Sequence, residues 1–281
     1  DTGRDWRPSL ITIDSEKPTN DHGGLRFMGW LCEKYGFGTY IYRIDGMLDE
    51  ESYASAREVQ ERLVEIVQTR YGGLYTETMI SPSWKSALAQ GLQLPGVSGL
   101  DNNSVLFSCP ARTAPGCYED ALEGALFASA TRKNLLILRY TDPSFGTRAQ
   151  IHIWLTWHDR DNVNLMLLLA YILLGHDDWR RAELRVFAAF PEEHVAQAEL
   201  EFAESLRQGR LPISESNIEF LSINDGHAFR ALVADRSAKA DLVLIGATVE
   251  RLRSKGRDLL EKHPRLENVL IVAAAEEIRI D

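Results

Sequence analysis

Val163-Asn164-Leu165-Met166-Leu167-Leu168-Leu169-Ala170-Tyr171-Ile172-Leu173-Leu174, closely followed by Trp179-Arg180-Arg181-Ala182-Glu183-Leu184-Arg185-Val186-Phe187, is the stretch whose reading decides how this chain folds. His158-Asp159-Arg160-Asp161 and His176-Asp177-Asp178 bracket the apolar run. A membrane-spanning helix needs roughly 20 apolar residues, so this run is too short to span. It is apolar on every side rather than along one stripe, which marks a helix buried all round. Asp161 or Asn162 can cap its start and Gly175 can stop it. Such a helix hides both faces between the sheet of its own half and another layer, at a domain or subunit interface.

Outward from that helix, hydrophobic periodicity sets the plan. In the first half, strand-like runs at 9–14, 39–44, 74–80, 104–108 and 135–140 alternate with helical segments. One helical segment opens at Asp21-His22-Gly23-Gly24. Another, at 50–71, carries Val59, Leu63, Ile66 and Val67 at helical spacing, and Gly72-Gly73 ends it. Two more are expected, one from Ser83 and one over 118–131. After a turn-rich link at 141–147 the same order returns, with strands at 151–156, 182–190, 217–221, 241–245 and 268–273. The helices between them are expected at 163–174, 194–208, 227–235 and 250–261. Repeated β/α alternation is the signature of a parallel sheet covered on both faces. The fold class is therefore α/β, with two similar subdomains, 1–145 and 146–281, each a five-stranded, mostly parallel sheet with helices on both faces.

The chain of 281 residues has a formal charge of -10 and no block of basic residues, so nucleic acid and anionic lipid are not expected partners. Cys32, Cys109 and Cys117 are odd in number and lack CxxC spacing, which indicates neither a disulfide framework nor a zinc site and suits a reducing, cytosolic setting. The chain starts at Asp1-Thr2-Gly3, with neither an initiating Met nor a signal peptide, and reads as a piece excised from something longer.

Side chains that could carry chemistry are scattered. His152, His158, Asp159, Asp161, His176, Asp177 and Asp178 include metal-binding types, but capping and solvation account for those at the two ends of the apolar helix. Those ends lie about 18 Å apart at 1.5 Å per residue. Cys109 and Cys117, near Arg112, have no neighbouring His to act as a base, and no G-x-S-x-G elbow occurs. Gly23-Gly24 and Gly29 with Asp45 lack the spacing of a dinucleotide fingerprint. A better nucleotide candidate is Asp14-Ser15, at the carboxyl end of the first strand, where open parallel sheets bind ligands.

Leu10-Ile11-Thr12-Ile13-Asp14-Ser15, a helix and then Thr39-Tyr40-Ile41-Tyr42-Arg43 resemble the opening of universal stress proteins, whose fold is a five-stranded parallel sheet and some of which bind ATP. ATP binders of that family carry G-x2-G-x9-G-S/T after the fourth strand. Here Ser108-Cys109-Pro110-Ala111 stands in that place in the first half and Gly246-Ala247-Thr248-Val249 in the second, so only Gly246 matches. The resemblance implies the fold and at most a vestigial nucleotide site of Asp14, Ser15 and Gly246.

A second resemblance covers the chain from Trp6 to Val272. Trp179-x5-Arg185-Val186-Phe187 is similar to the W-x5-R-V-F stretch in the cytosolic C-terminal domain of cation-chloride cotransporters. Trp6-Arg7-Pro8 resembles that family's W-R-P entry. Ile151-His152-Ile153-Trp154, Asp161 and 165–171, ending at Tyr171, resemble its I-D-V-W-W…D-D-G-G-L-T-L-L-L-P-Y segment. Val163-Asn164 in place of Gly-Gly, and Ala170 in place of Pro, point to a distant, prokaryotic member. The resemblance implies a regulatory, homodimerising domain at the cytoplasmic face of the membrane. Its partner would be a transmembrane domain of the same polypeptide that carries out electroneutral symport of chloride with potassium, sodium or both. No catalysis, cofactor or ion ligand is expected within these residues. The alternative is a free-standing nucleotide-binding module of the stress-protein type, and a metal-dependent enzyme built on the His/Asp cluster stands third.

Overall fold

A computed structural model describes residues 6–15, 22–97, 99, 101–111, 114–207, 213–223 and 225–278. Asp21, Arg112 and Gln208, used in the sequence reading, lie outside the described residues. The chain divides into two compact units, Arg7–Ser144 and Phe145–Asp281, with Trp6 grouped to the latter.

In the first unit, β1 (Ser9–Asp14), α1 (Gly23–Cys32), β2 (Phe37–Asp45), α2 (Glu50–Arg70), β3 (Leu74–Ser81), α3 (Trp84–Gly91), β4 (Ser104–Pro110), α4 (Ala114–Ala130) and β5 (Asn134–Tyr140) follow in turn. The strands lie in the order β3-β2-β1-β4-β5, every pair parallel. Burial follows that order. Every residue of β5 is buried, whereas β3, at an edge, alternates buried Leu74 and Thr76 with exposed Tyr75 and Glu77. The start of α2 is set by a capping box in which the Asp49 carboxylate accepts from the Ser52 amide at 2.8 Å and the Ser52 hydroxyl accepts from the Asp49 amide at 2.9 Å. Glu50 and Glu51 in its first turn and Arg70 in its last complement the helix dipole. Gly73, at φ 72°, then turns the chain into β3.

The second unit repeats the plan with β6 (Gln150–Thr156), α5 (Val163–Leu174), β7 (Glu183–Phe190), α6 (Glu192–Arg207), β8 (Ile218–Ser222), α7 (Gly226–Arg236), β9 (Leu242–Gly246), α8 (Val249–Lys255), α9 (Arg257–Leu260) and β10 (Val269–Ala273). The order is β10-β9-β6-β7-β8, again parallel throughout. In both units the first strand of the sequence sits beside the fourth, and that neighbourhood is the topological switch point. No residue of α5 is exposed, in keeping with an all-apolar helix. No helix among the described residues is long and apolar enough to cross a membrane.

Three expectations are corrected. Cys109 and Cys117 form a disulfide, with Cα atoms 5.6 Å apart, because α4 begins at Ala114 rather than near 118 and brings Cys117 back over the end of β4. The single helix expected over 250–261 is two, broken at Gly256, which takes φ 52°. Asp161 does not cap α5. The N-cap is Asn162, and Asp161 is exposed.

Candidate functional site

The carboxyl ends of the strands in each unit are where a ligand site would form, and each is built by the segment between its first strand and first helix. In the first unit, His22 is the N-cap of α1. Its Nδ1 accepts from the Leu25 amide at 3.2 Å, so the ring proton sits on Nε2, which lies 3.1 Å from Asp14 Oδ2. Both ring nitrogens are thus committed. Ser108 at the end of β4 is nearby, but the histidine has no lone pair left to serve as its base.

The first turn of α1 presses onto the sheet at two glycines. A Cβ on Gly24 would overlap the Ser108 side chain, and one on Gly23 would overlap the Tyr140 ring. The surrounding field is negative. Burial, then Glu123, raises Asp120 to about 6, with Glu119 and Asp14 adding to the rise and Arg43 opposing it. Tyr42 is raised by burial and then by the charge of Asp14. Phosphates would meet carboxylates here rather than a cradle of free amides. Ser15 is exposed, beside this cluster.

In the second unit the equivalent place is filled by Asp159 and Asn162, both buried. After Thr156 the chain makes a 3-10 turn at Trp157–Asp159. Asp159 Oδ2 accepts from the Thr156 amide at 2.8 Å and the Thr156 hydroxyl at 2.6 Å, and Asp159 Oδ1 accepts from Asn162 Nδ2 at 3.2 Å. Asn162 Nδ2 also donates to the Ala247 carbonyl at 3.0 Å, and its Oδ1 accepts from the Ala274 amide at 2.8 Å. The pair therefore ties together the ends of β6, β9 and β10. A Cβ on Gly246 would overlap the Asp159 carboxylate, so glycine is needed there to make room for a side chain of this same chain. Gly246 and Asp14 belong to different units, and each is accounted for within its own unit.

A buried polar group also lies at the centre of this unit. Ser237 Oγ accepts from Trp154 Nε1 at 2.9 Å and is 2.9 Å from His152 Nδ1. His152 is pushed down to about 4, by burial first and then by Arg185, so it is neutral. Trp154 stacks on Phe187, its partner across β6 and β7, with ring centroids 4.5 Å apart. Val186 and Trp179 are buried with them, whereas Arg185 lies at the surface, its Nε 2.9 Å from Glu183 Oε1. Tyr171 is half-buried, and burial raises its hydroxyl pKa. Near the start of the chain Trp6 is half-buried, Arg7 exposed and Pro8 buried. The Pro8 carbonyl accepts from the Phe37 amide at 2.9 Å, and the Arg7 carbonyl accepts from Asn103 Nδ2 at 2.7 Å.

The remaining His/Asp candidates do not converge. His158 is exposed, and His176 Nδ1 accepts from the Asp178 amide at 3.0 Å. Among the described residues no group of three or more His, Cys, Asp or Glu is placed to hold a metal ion. Sequence reasoning named Asp159 and His152 only as metal-binding types and His22 only at the opening of a helix, and it missed Ser237; Asn162 carried a signal as a possible cap.

No family model matches the chain. It is 24% identical over 267 residues to potassium/chloride cotransporter 3 of Caenorhabditis elegans, a match that covers 91% of this chain and 24% of that protein. The chain thus spans about a quarter of the length of that relative. Its fold is similar to the cytoplasmic domain of a prokaryotic cation chloride cotransporter, with a TM-score of 0.63 and 18% identity over 96% of each chain. A universal stress protein from Archaeoglobus fulgidus is also similar, with a TM-score of 0.59 and 10% identity over 96% of this chain and 98% of that one.

Proposed function

We propose that this chain is the cytosolic, non-catalytic domain of a prokaryotic cation-chloride cotransporter. In this reading it pairs with a second copy and biases the attached transmembrane domain, which moves chloride together with potassium, sodium or both. The observation that carries the reading is end-to-end coverage: one cotransporter matches over 91% of the chain, and the cytoplasmic domain of another over 96% of both chains. The site geometry agrees with it. The side chains at both sheet ends are engaged with the protein's own backbone and carboxylates, so the domain acts through shape and pairing.

The reading frame that encodes Asp1 tests this directly. Roughly twelve hydrophobic stretches of membrane-spanning length upstream are expected. A frame with none would remove the proposal. Sedimentation equilibrium of the chain is expected to give a dimer.

A further inference from the structure

The Cys109–Cys117 disulfide joins the end of β4 to the first turn of α4, across a sequence separation of 8 residues. A disulfide stabilises mainly by restricting the unfolded chain, and the gain grows with the loop it closes, so a loop this short gains little. Nor does the N-terminal unit need a staple. Leu10, Ile11, Leu25, Leu106, Leu136 and Leu138 have no exposed surface, a core of the kind that small disulfide-stapled domains lack. In the cytosol, where the proposed function places the domain, thiols are kept reduced and the disulfides that do form serve redox sensing or catalysis.

The two sulfurs are placed differently. Cys109 is fully buried on β4, whereas Cys117 is half-buried on α4. Attack from solvent therefore falls on Cys117, with Cys109 as the leaving group. Cys117 Sγ also lies 3.2 Å from the Ser108 carbonyl oxygen. In the disulfide that contact holds no proton; after reduction the Cys117 thiol donates to the same oxygen, so the reduced pair has a partner in place. The third cysteine, Cys32, is buried in α1, and burial raises its pKa, which keeps it an inert thiol outside any exchange.

We propose that Cys109 and Cys117 are a reversible thiol–disulfide pair that exchanges with a thiol reductant through Cys117. One reductant thiolate attacks Cys117 Sγ, so that a mixed disulfide forms as the Cys109–Cys117 bond breaks and Cys109 leaves as a thiolate. A second reductant thiolate attacks the reductant's sulfur in that mixed disulfide and releases Cys117. Two reductant thiols become one disulfide, the pair gains two electrons, and the two protons end on Cys109 and Cys117. An oxidised disulfide of the same class runs the steps in reverse. Reduction unties α4 from the end of β4 beside Ser108, against whose side chain Gly24 of α1 packs, so the carboxyl end of the N-terminal unit responds to thiol poise. The reductant comes from the cytosolic setting of the proposed function; the exchange itself needs only the chain.

The oxidised chain, equilibrated with reduced and oxidised glutathione across the cytosolic range, is quenched with acid, unfolded and alkylated, and its free thiols are counted by mass. One thiol, Cys32, is expected before reduction and all three after it, in a chain that stays folded. Amides in the first turns of α4 are expected to exchange hydrogen at least about tenfold faster in the reduced chain, while those of β1 and β5 hold. Oxidised glutathione is expected to modify Cys117 in Cys109→Ser at least about tenfold faster than Cys109 in Cys117→Ser. A bond that stays oxidised throughout the range, or a parent chain that unfolds on reduction, would overturn the proposal, as would equal modification of the two folded variants. Reduction of the parent chain decides the matter where a variant does not fold. Failed exchange would leave the cotransporter reading standing, and an upstream frame without membrane-spanning stretches would leave the exchange standing.

Discussion

At the carboxyl end of its first strand, the N-terminal unit sets Asp14 beside a histidine supplied by the following helix, whereas the C-terminal unit runs Thr156 into a tight turn whose Asp159, with Asn162, joins three strand ends. The two places are equivalent in topology, between the first and fourth strands of each unit. In the first, the helix gives way, through Gly24 against Ser108. In the second, the strand gives way, through Gly246 against Asp159. One plan thus holds two different closures of the crevice where an open parallel sheet would take a ligand. A lone glycine at a strand end is therefore no sign of a phosphate cradle until what it faces is known.

The largest effect is expected at Asp159. Asp159→Ala leaves the Thr156 amide and hydroxyl and one contact of Asn162 unsatisfied in a buried place, and should cost about 4 kcal/mol in urea unfolding. Gly246→Ala should cost about 2–3 kcal/mol alone, because a buried carboxylate must move. In the Asp159→Ala background it should cost far less. Additive losses would show that the two do not share a site.

The N-terminal closure should be weaker. His22→Ala removes one helix cap and should cost about 1 kcal/mol, and His22→Asn, which can still accept from Leu25, should recover most of it. Equal losses from the two variants would mean that contact with Asp14, not capping, is what matters.

In pH dependence the units oppose each other. His152 falls from 6.5 unfolded to about 4 folded, so the stability it contributes is complete above 6.5 and is lost as pH falls toward 4. Asp120 rises from 3.8 to about 6, so its contribution is complete below 3.8 and is lost as pH climbs through 6. Melting temperatures from pH 4 to 7 should therefore rise more gently with pH in His152→Gln and more steeply in Asp120→Asn than in the parent chain.

What could be read from the sequence was what local periodicity encodes. The all-apolar run of α5, the alternation in β2 and the glycine stop after α2 each follow from neighbours within a few residues, and together they gave both β/α series and the stress-type architecture. The closures were not legible because their partners are remote. Asn162 meets Ala247 and Ala274, 85 and 112 residues away. Whether Asp161 or Asn162 turns inward depends on the 3-10 turn before them, which apolar spacing does not report. The Cys109–Cys117 bond depended on where α4 begins, the least certain feature of any helix read from sequence. Trp179, Val186 and Phe187 matched a family pattern, and the structure shows that they are core side chains, while Arg185 of the same motif lies at the surface.

The central claim is that this chain serves a transporter through its shape. Chloride-dependent rubidium uptake into vesicles, with rubidium tracing potassium, tests it most directly when the complete polypeptide is compared with one lacking residues 6–278. The account predicts chloride-dependent uptake by the complete polypeptide and a loss of at least about tenfold without the domain. Uptake that ignores chloride, or that is unchanged when the domain is removed, would contradict it.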